Sequence, residues 1–270
     1  MIYVVWRRYS MSINKEDFIK LYAETKSISE VSRRLGIGKT TAYRYRKKNN
    51  IQIIKYKMYE SDDDYFAQNT EGSFYWAGFI AADGCVMNKK RDYTFVLKVS
   101  LANKDIDHLR MFNRHMKSTY PVKKYPNYCE LAMYSRKICD DLRRFNIVPR
   151  KTHIYTMPKW VRDHKLVNHF IRGYFDGDGS LSKYKQKSRN IPQHMFSVRG
   201  TKPFLTDMYK IIDKNCQLYY DRKVSLSGGI HQVGYSGNKV VKKICEYLYK
   251  DGTIYLTRKR QRANVLLKQG

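Results

Sequence analysis

The sequence has few cysteines, few prolines and little negative charge. Its 270 residues include 5 cysteines and 6 prolines, and 24 acidic residues stand against 53 basic ones, for a net charge of +29. The cysteines are scattered and form no CxxC pair, which argues against zinc-finger and dithiol chemistry, so we expect reduced core residues. They are Cys85, Cys129, Cys139, Cys216 and Cys245. No run approaches the roughly 18 apolar residues of a membrane-spanning helix, so we expect a soluble, intracellular and cytoplasmic protein with no membrane partner.

The positive charge predicts a polyanionic partner. A compact domain with this excess repels itself unless anions neutralise it, and nucleic-acid backbones are the commonest such anions. An anionic membrane surface is the alternative. Hydrophobic residues make up 42% of the chain and aromatic residues 14%, which excludes a disordered tail. The length suits one large domain or two ordinary ones.

Residues 12–50 predict a small all-α domain. Helical stretches at 15–24, 27–35 and 39–49 include a capping box at Ser27 to Glu30, and the Gly-Ile-Gly at 36–38 separates the last two. The pattern indicates a helix-turn-helix DNA-binding module, with a basic solvated helix as the plainer alternative. Its DNA-binding candidates are Lys39, Thr40, Thr41, Tyr43, Arg44 and Arg46. Residues 1–11 stay unassigned, and 51–70 predict a linker.

The remainder contains an internal duplication. FYWAGFIAADGCV at 74–86 matches HFIRGYFDGDGSL at 169–181, with the terminal Asp-Gly pairs 178 − 83 = 95 residues apart. Each copy predicts an apolar helix followed by a hairpin, a helix, more strand and another helix. The expected fold class is α+β, with one repeat at 71–160 and the other at 161–270.

Small residues four apart lie on one face of each apolar helix, at Gly78 and Ala82 and at Gly173 and Gly177. Two such faces let the helices approach backbone to backbone, as small residues do where helices pack closely. A buried core helix ending in a glycine cap is the plainer interpretation of either copy alone.

Close approach would bring Asp83 and Asp178 together at the helix C-termini, with Gly84 and Gly179 in the left-handed cap position. Two carboxylates beside two negative helix ends need a cation, and a hard divalent ion bound through oxygen is the natural one. Such ions between carboxylates and scissile phosphates activate water and stabilise the leaving oxygen. The pair therefore indicates phosphodiester hydrolysis.

WAGFIAADG at 76–84 and IRGYFDGDG at 171–179 resemble the two signature helices of the LAGLIDADG (DOD-type) homing endonucleases in their single-chain, two-repeat form. The segments at 95–109, 145–158, 196–208 and 247–268 resemble further parts of that family, so the resemblance covers about 71–268. It implies the duplicated LAGLIDADG fold, with two pseudo-symmetric αββαββα-like repeats after the all-α domain.

The resemblance also implies an activity: a monomer that cuts a long, asymmetric double-stranded DNA site with Mg²⁺, or another divalent cation such as Mn²⁺, and so promotes mobility of its intron or gene. The implied metal residues are Asp83, Asp178, Gly84 and Gly179, and the implied catalytic residues are both aspartates with Lys151 and Lys259. Lys98 and Arg199 are expected on strands facing DNA.

The two copies differ at one position of the motif. An additional acidic residue often stands in this family where the chain has Ala81, while Asp176 occupies that place in the second copy. The halves are therefore expected to be unequal in catalysis. Two other functions remain open at this point: a catalytically silent transcription regulator, and an RNA-binding maturase with intron RNA as its partner.

Overall fold

The computed structural model describes residues 13–52, 58–89, 94–185, 192–219 and 223–268, so the unassigned tail lies outside the described residues. The chain divides into two compact units, Met1–Met58 and Tyr59–Gly270. No helix in the described ranges is both long enough and apolar enough to cross a membrane. The segment predicted as a linker contributes to both units, because Ile51 packs in the core of the first and Phe66 in that of the second.

The small unit contains three helices, α1 (Lys15–Thr25), α2 (Ile28–Arg34) and α3 (Lys39–Lys48). Phe18, Val31 and Ala42 are fully buried at its centre. Only half of the predicted capping box forms: Ser27 Oγ accepts from the Glu30 amide at 3.4 Å. The Glu30 carboxylate pairs instead with Arg33 and Arg34, because ion pairing with two nearby guanidinium groups is the stronger interaction.

The large unit consists of two repeats with the same order of elements, as predicted. The first has α4 (Glu71–Asp83), β1 (Gly84–Lys89), β2 (Thr94–Ala102), α5 (Ile106–His115), β3 (Lys123–Lys124), β4 (Tyr128–Met133) and α6 (Arg136–Arg143). After the short α7 (Lys159–Arg162), the second has α8 (Val167–Asp178), β5 (Gly179–Tyr184), β6 (Gln193–Gly200), α9 (Lys202–Cys216), β7 (Ser225–Ser227), β8 (Ile230–Ser236) and α10 (Asn238–Tyr249), and α11 (Thr257–Leu267) closes it. The α+β fold class is therefore confirmed.

Each repeat contains a four-stranded antiparallel sheet, ordered β1-β2-β4-β3 in the first and β5-β6-β8-β7 in the second. The registers are equivalent, since Gly84 pairs with Val99 in one sheet and Gly179 pairs with Val198 in the other. Alternate strand residues are buried by the helices, and the opposite face of each sheet stays open.

The core is continuous through both repeats, and it holds four of the five cysteines as predicted. The prediction is wrong for Cys85, which is exposed. Cys85 lies beside Lys98 in the register of β1 with β2, while its neighbour Val86 points into the core. The alternation of side chains along a strand therefore places Cys85 on the open face of the sheet.

Candidate active site at the ends of two packed helices

The two motif helices, α4 and α8, form the centre of the large unit. A Cβ added to Gly78 would overlap the carbonyl oxygen of Phe170 and lie 2.9 Å from its carbonyl carbon. A Cβ on Gly173 would likewise overlap the carbonyl oxygen of Tyr75. The predicted backbone-to-backbone approach of these helices is confirmed, and it requires glycine at both positions.

The ends of these helices differ from the prediction. Gly84 and Gly179 are extended, with φ of −85° and −90°, and they begin strands instead of taking the left-handed cap conformation. Glycine is needed for a different reason, because a Cβ on Gly84 would lie 2.9 Å from the Cα of Ile80. At Gly84 the chain passes directly from α4 into β1, and at Gly179 it passes directly from α8 into β5.

Asp83 and Asp178 are the last residues of α4 and α8. The Oδ2 atom of Asp83 reaches the other helix, since it would lie 3.3 Å from a Cβ placed on Gly177. Both aspartates are accessible to solvent. Desolvation by the surrounding protein, together with the charge of Asp178, nevertheless raises the pKa of Asp83 to about 6, and desolvation also raises the pKa of Asp178. The charges of Lys151 and Lys259 act in the opposite direction and favour the ionised carboxylates.

A buried lysine stands beside each of these helix ends. The Nζ of Lys151 donates to the carbonyl of Gly84 at 2.8 Å, and the Nζ of Lys259 donates to the carbonyl of Gly179 at 2.7 Å. Burial lowers the pKa of both lysines, that of Lys259 to about 8. The two lysines thus take equivalent positions in the two repeats.

The residues at this site fit a magnesium ion. The described part of the chain has no cluster of three or more acidic, histidine or cysteine side chains that would form an all-protein metal cage. Mg²⁺ does not require one, because it is usually held by one or two carboxylates together with water and substrate phosphates. Asp83 and Asp178 would supply those carboxylates. The carbonyl oxygens of Gly84 and Gly179 already accept from the lysines, so metal binding by these glycines stays a prediction.

Asp176 lies next to this site but points away from it. Its side chain is 1% exposed and accepts hydrogen bonds from Tyr75, Tyr249 and the amide of Leu256. Ala81 takes the equivalent place in the first repeat and is buried without a polar group. The motif position that differs between the copies is therefore a buried polar site in one repeat and an apolar one in the other.

Lys98 and Arg199 both lie on the open faces of their sheets. Lys98 alternates with the buried Leu97 and Val99 in β2, and its Nζ is 2.5 Å from a carboxylate oxygen of Glu130. The Nε of Arg199 donates to the side-chain oxygen of Gln232, its partner across the sheet, at 3.4 Å. Glu130 thus places a negative charge beside Lys98 on the open face of the first sheet.

In the small unit, the candidate DNA-binding residues of α3 are accessible. Lys39, Thr40, Thr41, Tyr43 and Arg44 are exposed, and Arg46 is partly exposed. Ala42 lies between them in sequence and is buried in the core of that unit. The face of α3 opposite Ala42 is therefore free of contacts with the small core.

Two polar connections across the repeats had no signal in the sequence. Arg172 is fully buried and pairs with Glu71 at the start of α4. Arg258, at the start of α11, pairs through Nε with the buried Asp105 of the first repeat at 3.0 Å. Single charged residues far apart in sequence show no pattern, so only the folded chain reveals these partners.

These observations define a class of architecture: two αββαββα repeats whose first helices pack together and present an aspartate each at the junction. It is the duplicated LAGLIDADG homing-endonuclease fold. The sequence matches no protein-family model and no curated protein.

Solved structures share the fold at low sequence identity. The LAGLIDADG meganuclease I-AabMI bound to uncleaved DNA is 12% identical, with a TM-score of 0.52 over 72% of this chain and 89% of that chain. The meganuclease I-SmaMI bound to uncleaveable DNA with a TTGT central four is 12% identical, with a TM-score of 0.53 over 74% and 89%. The LAGLIDADG meganuclease I-CpaMI bound to uncleaved DNA is 10% identical, with a TM-score of 0.51 over 74% and 91%.

Proposed function

We propose that this protein is a site-specific endonuclease that hydrolyses both strands of a DNA duplex with Mg²⁺, in the manner of a homing endonuclease that promotes mobility of its intron or gene. The observation that carries the proposal is the junction of α4 and α8, where glycine contacts bring Asp83 and Asp178 together and a buried lysine stands at each helix end. Solved structures of the same fold include meganucleases bound to DNA.

In this proposal the carboxylates of Asp83 and Asp178 would hold the divalent cation. When bound, the cation supplies Lewis-acid stabilisation of phosphate charge and an activated water. Lys151 and Lys259 add positive charge within the same small volume, which stabilises the negative charge that develops on the phosphate. The carbonyls of Gly84 and Gly179 fix the lysines, so their ammonium groups are positioned before DNA arrives.

The open faces of the two sheets form the DNA-binding surface in this proposal. A two-stranded or larger β surface fits the major groove, where each base pair presents a distinct pattern of donors and acceptors. Arg199 and Lys98 are suited to phosphates or to guanine there. The net charge of +29 supports binding of a long duplex, because each lysine or arginine that neutralises a phosphate releases counterions.

We further propose that α3 of the small unit reads additional DNA as the second helix of a helix-turn-helix. Its exposed residues Lys39, Thr40, Thr41, Tyr43 and Arg44 include both hydrogen-bonding and cationic side chains. One chain carries both motif helices, so a monomer suffices to complete the site. The proposed location is intracellular, where duplex DNA is found.

The test is cleavage of a plasmid library of candidate sites, including the intronless host-gene junction, with Mg²⁺ or with EDTA. We expect linear product from the wild type with Mg²⁺ alone, and a loss of at least about a hundredfold in Asp83→Asn and Asp178→Asn. Asp107→Asn, on the exposed surface of α5, is the matched control. Tight binding to a confirmed site without cutting would contradict the nuclease and favour a regulator, whereas preferential binding of intron RNA would favour a maturase.

A further inference from the structure

We propose that Asp176 is a positioning residue for Lys259, and that the chain has this arrangement in its second repeat alone. Its chemical consequence rests on the proposed nuclease function: the variant Asp176→Ala is expected to slow cleavage of one DNA strand and leave the other unchanged.

The carboxylate of Asp176 joins three separate parts of the large unit. Its Oδ2 accepts from the hydroxyl of Tyr75 on α4 at 2.8 Å and from the backbone amide of Leu256 at 2.7 Å. Its Oδ1 accepts from the hydroxyl of Tyr249 on α10 at 2.7 Å. Because Asp176 is almost completely buried, removing its side chain leaves these three donors without their acceptor.

Leu256 is the residue immediately before α11, and its backbone is fixed on both sides. Its amide is held by Asp176, while its carbonyl accepts from the amides of Lys259 at 2.9 Å and Arg260 at 3.0 Å. Its side chain is 3% exposed. The hydrogen bond from Leu256 to Asp176 therefore sets where the first turn of α11 begins, and that turn carries Lys259.

The ammonium group of Lys259 is held by several backbone carbonyls. Its Nζ lies within hydrogen-bond distance of four carbonyl oxygens, at 2.5 Å from Phe175, 2.8 Å from Asp176, 3.2 Å from Gly177 and 2.7 Å from Gly179. An ammonium group has three hydrogens, so these carbonyls already occupy its donors. A small shift of α11 would change which carbonyls the ammonium group of Lys259 contacts. It would also change the orientation of that group toward a DNA phosphate bound at the end of α8.

The first repeat lacks this arrangement. Ala81 stands at the position equivalent to Asp176 and offers no acceptor. Lys151 lies on a short 3₁₀ turn at Lys151–His153, preceded by Arg150 in the left-handed conformation with φ of 61°. Among the described residues, the Nζ of Lys151 has the carbonyl of Gly84 as its hydrogen-bond partner. The two lysines are therefore equivalent in place but are held by different means.

The experiment uses the full-length protein and a duplex whose two strands carry different fluorophores, in single-turnover cleavage with Mg²⁺. Lys259→Met and Lys151→Met first identify which strand depends on each lysine. Asp176→Ala is expected to slow the Lys259-dependent strand on the order of 10- to 100-fold, since small misplacements of a reacting group have effects of that size. The other strand and the Kd for DNA measured in Ca²⁺ are expected to change less than about twofold. Asp107→Ala on the surface is the matched control.

The strand ratio separates positioning from loss of folding. A variant that only lowers the folded fraction slows both strands equally, and that result would overturn the proposal, as would no change in either strand. Should Asp176→Ala not fold, Asp176→Asn replaces it, because the amide oxygen retains one acceptor; the same ratio is then measured, with a smaller expected effect.

A second measurement does not depend on nuclease activity. Amide hydrogen exchange of the peptide spanning 250–262 is expected to be faster in Asp176→Ala than in wild type, with peptides around Lys151 unchanged. If wild type cuts neither strand but this local increase is present, the proposed function fails while the positioning role stands. Unchanged exchange at 250–262 would overturn the positioning role even in an active nuclease.

Discussion

Glu71 and Arg172 form an ion pair across the two repeats, with 2.6 Å between Oε1 of the carboxylate and Nη2 of the guanidinium. Arg172 is fully buried, and it also donates to the backbone carbonyls of Leu248 and Ile254. The Glu71 carboxylate accepts from the amides of Thr253 and Ile254 in return. This pair therefore ties the start of α4 and the middle of α8 to the segment that precedes α11.

Arg172→Met is expected to lower the free energy of unfolding by at least about 3 kcal/mol, because it leaves the Glu71 carboxylate without its counter-charge and the carbonyls of Leu248 and Ile254 without their guanidinium donor. Urea unfolding measures the change. Arg110→Met is the matched control, since the pair of Arg110 with Asp107 is exposed and should contribute less than about 1 kcal/mol. Equal effects of the two substitutions would contradict a stabilising role for the buried pair.

Gly78→Ala and Gly173→Ala are each expected to prevent formation of the native large unit or to lower its stability by several kcal/mol. The added methyl group would overlap a backbone carbonyl of the opposing helix, and backbone cannot move away as a side chain can. Thermal unfolding monitored by circular dichroism tests this. Gly38→Ala serves as the control, because its Cβ would meet only Thr41 Oγ1 at 3.6 Å; native-like melting of Gly78→Ala would refute the close packing.

His108 should make the protein less stable in acid. Burial lowers its pKa to about 3, and the positive charges of Arg258, His115 and Lys259 act in the same direction. Because the unfolded imidazole titrates near 6.5, its stabilising contribution is complete above that pH and is lost as pH falls toward 3. The loss is up to about 1.4 kcal/mol per pH unit.

His108→Leu is therefore expected to reduce the slope of unfolding free energy against pH between 6.5 and 4. Urea unfolding at several pH values measures the slope, and His153→Leu, at an exposed position, is the control. A slope that is the same in wild type and His108→Leu would show that His108 does not remain neutral on folding.

Glu130→Gln is expected to strengthen binding of non-specific duplex DNA several-fold. The substitution removes a negative charge from the open face of the first sheet and releases Lys98 from its ion pair. Fluorescence anisotropy at several salt concentrations should show a steeper salt dependence, by roughly one counterion. Asp141→Gln on α6, where the carboxylate also pairs with a lysine, is the control. No change in affinity would indicate that this face does not meet DNA.

The repeated motif made the centre of the fold predictable. Two apolar segments with small residues four apart and a terminal Asp-Gly indicated helices that meet along their backbones, and the contacts of Gly78 and Gly173 confirm this. The pattern works because close packing admits few residue types. The conformation of Gly84 was not predictable in the same way, since left-handed caps and helix-to-strand junctions both favour glycine.

The sequence did not reveal which polar residues are accessible at the candidate site and which are buried in hydrogen bonds next to it. Asp176 matched a motif position as well as Asp178 did. In the structure Asp176 is buried, whereas Asp178 is accessible at the end of α8. Side chains two positions apart in a helix point in very different directions. The groups that surround Asp176 come from α10 and from the chain before α11. Glu130 and Lys98 form their pair diagonally across neighbouring strands, and this pairing depends on the register of β2 with β4, which was not readable from the sequence alone.

The contacts between α4 and α8 are reciprocal: Gly78 meets the carbonyl of Phe170, and Gly173 meets the carbonyl of Tyr75. Each residue of α8 in these contacts lies 95 positions after its equivalent in α4, as Gly173 does after Gly78 and Phe170 does after Tyr75. Such reciprocity is the property of an isologous interface in a two-fold symmetric dimer. A single repeat with glycine at this place has a surface complementary to its own copy. Joining two copies in one chain keeps the symmetric interface between the two helices while each half accumulates its own substitutions. The outer surfaces of the two halves can therefore become different while the pseudo-two-fold axis between the helices is retained.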